Sequence, residues 1–262
     1  MDLNDFEMRG MTTARSLFTV SGAKLTLKGG SLSAKKLIGS AINGGEIIIE
    51  SGSYEGQTDY AFAATGTGSK VTMNGGRIHA LDGGIGAFEG AEIVMNGGEI
   101  DITDNFALFT NGSAGKGGNT ITVNGGRMTG NITSAGYEAC GVYVANNDTF
   151  VMNGGEITAN GGVGILMRGG NVTVNNGTVK SVATEAHPAG SQGHVGDSVT
   201  NVGLSGIIYQ ENANYPGKAG MNLHITGGTV IGVDHAVEVL SNEEQPQVFV
   251  TGGSFTPPYP EA

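Results

Sequence analysis

Ionisable side chains recur at two fixed positions after a repeated Gly-Gly sequence. The first position holds Arg77, Glu99 and Arg127, and the position two residues later holds His79 and Asp101. Two neighbouring carboxyl groups can act as general acid and base, and an arginine can bind a substrate carboxylate through paired hydrogen bonds. The five residues are therefore a candidate catalytic set for an acidic sugar such as a uronate.

The same charges have a second interpretation, which is structural. Arg77, Glu99 and Arg127 alternate in sign from one repeat to the next, and this avoids placing like charges opposite each other on paired strands. The sequence offers no aspartate triplet, no three carboxylates in successive repeats and no nearby lysine base. The pattern favours charge pairing and leaves catalysis as the alternative.

Carboxylates near repeat corners suggest one metal site. Asp82, Asp101 and Asp104 could supply oxygen ligands to a calcium ion. The histidines lack the spacing of metal ligands, and we expect no other metal or cofactor.

Tyrosines beside irregular segments form a candidate ligand site. Tyr209 and Tyr215 lie around the stretch 210–218, which follows a Gly-, His- and Ser-rich stretch at 183–198. Long loops on a rigid framework often carry recognition, and tyrosine rings can stack on sugars. The alternative is a loop that only covers the core.

All these positions belong to a repeat that runs through almost the whole chain. Residues 71–78, Val-Thr-Met-Asn-Gly-Gly-Arg-Ile, are one copy, and the second glycine of the unit recurs at steps of 22 to 29 residues with one step of 51. Such periods are typical of solenoids, and the alternation of apolar and polar residues predicts strands. We interpret the 51-residue step as two coils, with a hidden coil within 199–209.

The repeat predicts an all-β fold, a single-stranded right-handed parallel β-helix of about ten coils with roughly 22–29 residues each. Residues 1–256 would form this solenoid, with a loop insertion at about 183–198, and 257–262 a linker-like tail. The 48 glycines suit frequent turns, because glycine adopts positive φ without steric cost. A ladder of stacked amides should join successive turns. Its members are Asn74, Asn96, Asn124, Asn153 and Asn175.

Charge and chain ends limit the partners. The net charge of −11 opposes binding to nucleic acid or to an anionic membrane. The N-terminal residues show no apolar run of a signal peptide or anchor, so we interpret the chain as a trimmed part of an extracellular or cell-surface protein. Uncapped terminal coils predict end-to-end or homo-oligomeric association.

The unit at 121–126, Ile-Thr-Val-Asn-Gly-Gly, resembles the right-handed β-helix repeats of the pectate-lyase-like superfold. It is most similar to the Asn-Gly-Gly-rich repeats of adhesin-like or carbohydrate-binding surface proteins of gut Firmicutes, and residues 250–256 resemble the last coil of such arrays. The resemblance implies a fold more strongly than a function, because this fold carries enzymes, phage tailspikes and inert stalks.

Three functions follow from the resemblance. The first is a non-catalytic extracellular β-helix module, an adhesin-like scaffold with a binding surface for a glycan or another host or cell-surface ligand. The second is a polysaccharide lyase or glycoside hydrolase that uses Glu99 and Asp101. The third is a tailspike-like virion protein, which would need an exposed apolar stripe for trimer formation.

Overall fold

The structure is a computed structural model in which every regular element of the described residues is a β-strand. The described residues are 1–10, 15–132, 140–191, 193–195, 199–210, 221–240 and 246–256. They form a right-handed parallel β-solenoid of about nine turns, which confirms the predicted fold class. In these ranges no helix is long and apolar enough to cross a membrane.

Each full turn contributes one strand to each of three faces, here called the first, second and third face. The first face contains β5 (Glu46–Ile49), β8 (Lys70–Met73), β11 (Glu92–Met95), β14 (Thr120–Val123), β17 (Thr149–Met152), β20 (Asn171–Val174), β25 (Asn222–Ile225) and β28 (Gln247–Val250). The second face contains β1 (Asp2–Gly10), β6 (Ser53–Gly56), β9 (Arg77–Ala80), β12 (Glu99–Thr103), β15 (Arg127–Asn131), β18 (Glu156–Asn160), β21 (Thr178–Val182), β26 (Thr229–Ile231) and β29 (Ser254–Thr256). The third face contains β2 (Ser16–Ser21), β4 (Leu37–Ile42), β7 (Phe62–Thr65), β10 (Ile85–Phe88), β13 (Phe106–Phe109), β16 (Cys140–Val144), β19 (Val163–Met167), β24 (Ser205–Gln210) and β27 (His235–Leu240).

Two elements depart from this one-strand pattern. The long strand β3 (Lys24–Ala34) continues from the first face into the second, because its first half pairs with β5 and its second half with β6. The short strands β22 (Gly193–Val195) and β23 (Val199–Val202) pair antiparallel with each other. All other strand pairs in the described part of the chain are parallel.

Successive turns stack with equivalent residues opposite each other. On the first face Val71 pairs with Ile93, Ile93 with Ile121, and Ile121 with Phe150. These four side chains are fully buried, since alternate residues of a strand point to one side of the sheet. The turns therefore share one continuous apolar core, with a spacing of about 4.8 Å between strands.

The 51-residue step is one turn, and the predicted hidden coil within 199–209 is wrong. Val172 of β20 pairs directly with Leu223 of β25. The apolar alternation that suggested a coil has two other origins: β23 belongs to the antiparallel hairpin, and β24 is the third-face strand of the same turn. The predicted insertion at 183–198 lies within this turn, and the predicted tail at 257–262 lies outside the described residues.

Side-chain amides join the turns at the corner between the first and second faces. Each amide nitrogen donates to the amide oxygen of the preceding turn at 2.8 or 2.9 Å. The members are Asn74, Asn96, Asn124, Asn153 and Asn175. Glu50 accepts a hydrogen bond at one end, and Thr226 donates one at the other. The ladder predicted from the sequence is present.

Replacing Asn124 with alanine in the middle of the ladder should lower the free energy of unfolding by about 1 to 2 kcal/mol. The substitution removes two side-chain hydrogen bonds, each with a net contribution of roughly 0.5–1.5 kcal/mol. Urea unfolding followed by circular dichroism measures the loss. Thr122→Ala, an outward position on the adjacent strand, should cost under about 0.5 kcal/mol. Equal losses in the two variants would contradict a stabilising ladder.

Candidate functional site

The five candidate catalytic residues lie together on the outer surface of the second face. Arg77 pairs with Glu99 across neighbouring strands, Glu99 pairs with Arg127, and His79 pairs with Asp101. Their side chains are exposed or half-buried. The structure thus brings together all five residues that the sequence singled out.

The carboxylates of this surface are paired with arginines. Arg77 donates to Asp101 through Nη2, and its Nη1 lies 4.0 Å from Oε2 of Glu99. Nε of Arg127 lies 3.6 Å from Oε2 of Glu156 in the next turn. Exposed ion pairs of this kind contribute about 0 to 1 kcal/mol. The arrangement is the one that the charge-pairing interpretation predicts.

The three candidate calcium ligands do not form a joint site. Asp101 is engaged by Arg77, and Oδ1 of Asp82 accepts a hydrogen bond from Nδ2 of Asn105 at 2.6 Å. Asp104 lies at a corner with φ of 57°. Over the described part of the chain, no group of three or more His, Cys, Asp or Glu side chains could hold a metal ion. These carboxylates therefore give no support to a calcium site.

Tyr209 cannot contact a glycan, so that prediction is wrong. The residue lies in β24 in register with Met167, and its side chain has no exposed surface. Its hydroxyl group donates to the carbonyl oxygen of Met221 at 3.3 Å. The physical reason is the strand alternation, which turns Tyr209 into the core. Tyr215 lies outside the described residues.

A groove on the outer surface of the third face, the third-face groove, offers an alternative ligand site. Its floor is a column of small residues in register, with Thr19 opposite Ser40 and Ser40 opposite Ala63. The groove has a volume of about 220 Å³. Its lining consists of Arg15, Ser16, Thr19, Leu37, Ser40, Ile42, Ala63 and Thr65. Hydroxyl groups and apolar side chains therefore line one concavity.

Three aromatic rings close this groove at the next turn. Gly86 follows Ala63 in register, and a Cβ atom at Gly86 would lie 2.7 Å from the ring of Phe109 and 2.9 Å from the ring of Phe88. The ring centroid of Tyr60 lies 5.6 Å from that of Phe88 and 5.2 Å from that of Phe109. The glycine is required because any side chain there would displace the rings from the sheet.

The later turns of the third face are covered on the outside. The ring of Phe106 stacks on that of Tyr143 with centroids 4.6 Å apart. Beyond this pair, Val202 of β23 packs with Leu166 and Ile208 in a second apolar cluster. The outside of the third face is therefore covered at β13, β16, β19 and β24, whereas the groove lies at β2, β4 and β7.

The rim of the groove combines a phenol with a cation. Burial raises the pKa of Tyr60, and the nearby carboxylates of Asp59 and Asp82 raise it further, whereas the charge and hydrogen bond of Arg15 lower it. Tyr60 therefore stays a neutral phenol at pH 7 and can donate or accept a hydrogen bond. Of the described residues that line the groove, Arg15 alone is ionisable.

No family model, curated protein or solved structure matches this chain. The fold assignment therefore depends on the strand pairing. The likeness to pectate-lyase-like and adhesin-like repeats stays a prediction.

The sequence contains a signal for the groove outside the Gly-Gly repeat unit. Outward positions of the third face change from small residues at 40, 63 and 86 to aromatic ones at 109 and 143. This change is visible only when the third-face strands are aligned with one another. Their alignment requires the structure, because the segments before and after them differ in length.

Proposed function

We propose that this chain is a non-catalytic β-helix module of an extracellular or cell-surface protein, an adhesin-like scaffold that binds a glycan in the third-face groove. The observation that carries the proposal is the composition of that groove. Hydroxyl groups of Ser16, Thr19, Ser40 and Thr65 line it beside apolar side chains, and an aromatic cluster adjoins it by packing with the lining residues Leu37 and Ala63. Ligand sites commonly combine an apolar lining with a few polar groups that fix orientation.

A sugar matches these surfaces in two ways. Its hydroxyl groups can exchange hydrogen bonds with serine and threonine, which both donate and accept. Its C–H faces can pack on the apolar side chain of Ile42 and on the edges of the aromatic rings. A stacked solenoid holds such a site rigidly, which lowers the entropy cost of binding.

The two alternative functions have less support. A lyase or hydrolase would use Glu99 and Asp101, yet Arg77 contacts both carboxylates on an open surface. A virion trimer would need an apolar stripe along one face. Among the described residues, seven of the eight large apolar side chains that are exposed lie in the first and last turns: Met1, Phe6, Met8, Val239, Phe249, Val250 and Phe255. End-to-end association remains a prediction for these two ends.

A glycan-array screen tests the proposal when it is combined with assays for reducing sugars and unsaturated uronates on the same polysaccharides. We expect binding without product release. Phe109→Ala, which removes part of the aromatic wall, should weaken binding at least tenfold, about 1.4 kcal/mol. The double variant Glu99→Gln/Asp101→Asn is the matched control and should bind normally. Product release that disappears in the double variant would instead establish an enzyme.

A further inference from the structure

The third-face groove is closed at one end, which limits how a glycan can enter it. Its floor runs from Thr19 through Ser40 to Ala63, and the rings of Phe88 and Phe109 occupy the next position over Gly86. A linear polymer that extends along the solenoid axis would meet these rings. The geometry therefore favours a ligand that ends inside the groove.

The size of the groove also favours a ligand that ends inside it. Its volume of about 220 Å³ lies below the range of about 300–1,000 Å³ that is typical of sites for drug-sized ligands. Such a volume suits one sugar ring better than several. The rest of a glycan chain would then leave through the open side toward solvent.

The charge of the lining selects among sugars. Arg15 is the one ionisable residue among the described lining residues, and it is exposed and interacts with the Tyr60 hydroxyl group at the rim. A guanidinium group binds a carboxylate through two parallel hydrogen bonds, a geometry that a neutral hydroxyl group cannot reproduce. Within the lining itself the charge complement is thus an anionic sugar, although the carboxylates of Asp59 and Asp82 lie near Tyr60 at the rim and the protein as a whole is acidic.

We infer that the third-face groove binds the terminal residue of an acidic glycan, with the carboxylate of that sugar against Arg15 and its ring between the small-residue floor and the aromatic wall. This inference rests on the proposed glycan-binding function and adds the position and the charge of the sugar that is bound. The groove therefore binds the end of a glycan chain and does not bind sugar residues in the interior of a polysaccharide.

Isothermal titration calorimetry with defined sugars tests the inference. The probes are N-acetylneuraminic acid, methyl glucuronide, the methyl ester of each, and glucuronide-terminated oligosaccharides of two to four residues. We expect at least one free acid to bind at least tenfold more tightly than its neutral ester. We also expect the affinity for the oligosaccharides to change less than threefold with chain length.

Two variants and a control make the test specific. Arg15→Gln should remove the preference for the acid and leave ester binding unchanged, and this exposed position should tolerate the change. Thr65→Trp, which fills the groove, should abolish binding of both forms. Lys70→Gln removes a cation from the first face and should bind like the unmodified protein. Thermal unfolding checks that each variant is folded.

The outcomes separate this inference from the proposed function. Equal affinity for acid and ester, no effect of Arg15→Gln, or an affinity that rises more than tenfold with chain length would overturn the inference. Glycan binding on the array that is lost in Phe109→Ala would in that case still support the proposed function. Absence of binding to every glycan and every probe would overturn both.

Discussion

Replacing Gly98 with alanine is expected to lower the free energy of unfolding by about 2 to 5 kcal/mol. Gly98 has φ of 88°, where a residue with a Cβ atom loses roughly 1–2 kcal/mol. The added atom would also lie 2.6 Å from Cε of Met73 and 2.8 Å from the carbonyl oxygen of Gly76, both in the preceding turn. Overpacking of this kind costs roughly a further 1–3 kcal/mol.

Gly66 provides a matched control for this prediction. It has the same φ of 88°, but a Cβ atom there would meet no atom within 4 Å. Gly66→Ala should therefore cost only the conformational part, about 1 to 2 kcal/mol. Urea unfolding of both variants at one pH gives the comparison. Losses of equal size in the two variants would show that steric contact with the preceding turn does not exclude side chains from the Gly-Gly corner.

A buried carboxyl group should make the protein more stable in mildly acidic solution. Asp148 is fully buried, and burial raises its pKa to about 6, although hydrogen bonds from Thr110 and Asn119 lower it in part. Its Oδ2 atom has no hydrogen-bond partner. Since the folded state holds this proton more tightly than an unfolded chain with a pKa near 3.9, stabilisation by the proton is present below about pH 4. It is lost as the pH rises through about 6, and the loss is about 3 kcal/mol.

Asp148→Asn isolates this effect. The amide oxygen can still accept the two hydrogen bonds that Asn119 donates to Oδ1 at 2.8 and 2.9 Å, and the buried charge is removed. We expect the variant to be more stable than the unmodified protein at pH 7.5. This advantage should shrink by about 3 kcal/mol as the pH falls to 4.

Urea unfolding between pH 4 and 7.5 measures the difference. Thr110→Val removes a hydroxyl group that favours the charged form of Asp148. The variant should therefore lose the stabilisation by the Asp148 proton at a higher pH. Thr110→Ser keeps the hydroxyl group and serves as its control. A difference between Asp148→Asn and the unmodified protein that stays constant with pH would refute a role for this carboxyl group.

The parts of the fold that depend on local pattern could be predicted from the sequence. The period of two around each Gly-Gly pair assigns Val71 and Met73 to the core, and both are fully buried. The spacing of the repeat predicts the parallel stacking, and the asparagine at the turn of five copies predicts the amide ladder. Both features follow from short-range pattern, so tertiary context does not change them.

The parts that depend on packing between distant segments could not be predicted. The alternation at 199–209 does not show whether a strand pairs parallel with the next turn or antiparallel in a hairpin. For the same reason, the sequence pattern does not show that the side chain of Tyr209 points into the core. The third-face groove depends on which turns the insertion covers and on rings from three turns that meet over Gly86. None of these relations is local in the chain.

The direct pairing of β20 with β25 across 51 residues shows that turn length does not affect register. In all nine copies of the repeat, the first inward position of the second face comes seven positions after that of the first face, as from Val71 to Ile78 and from Leu223 to Val230. All differences in length between turns therefore fall on the third face and its corners. The molecule has one side whose length is constant and one side that can gain or lose segments, so new binding surfaces can arise by insertion there without any change in the stacked core.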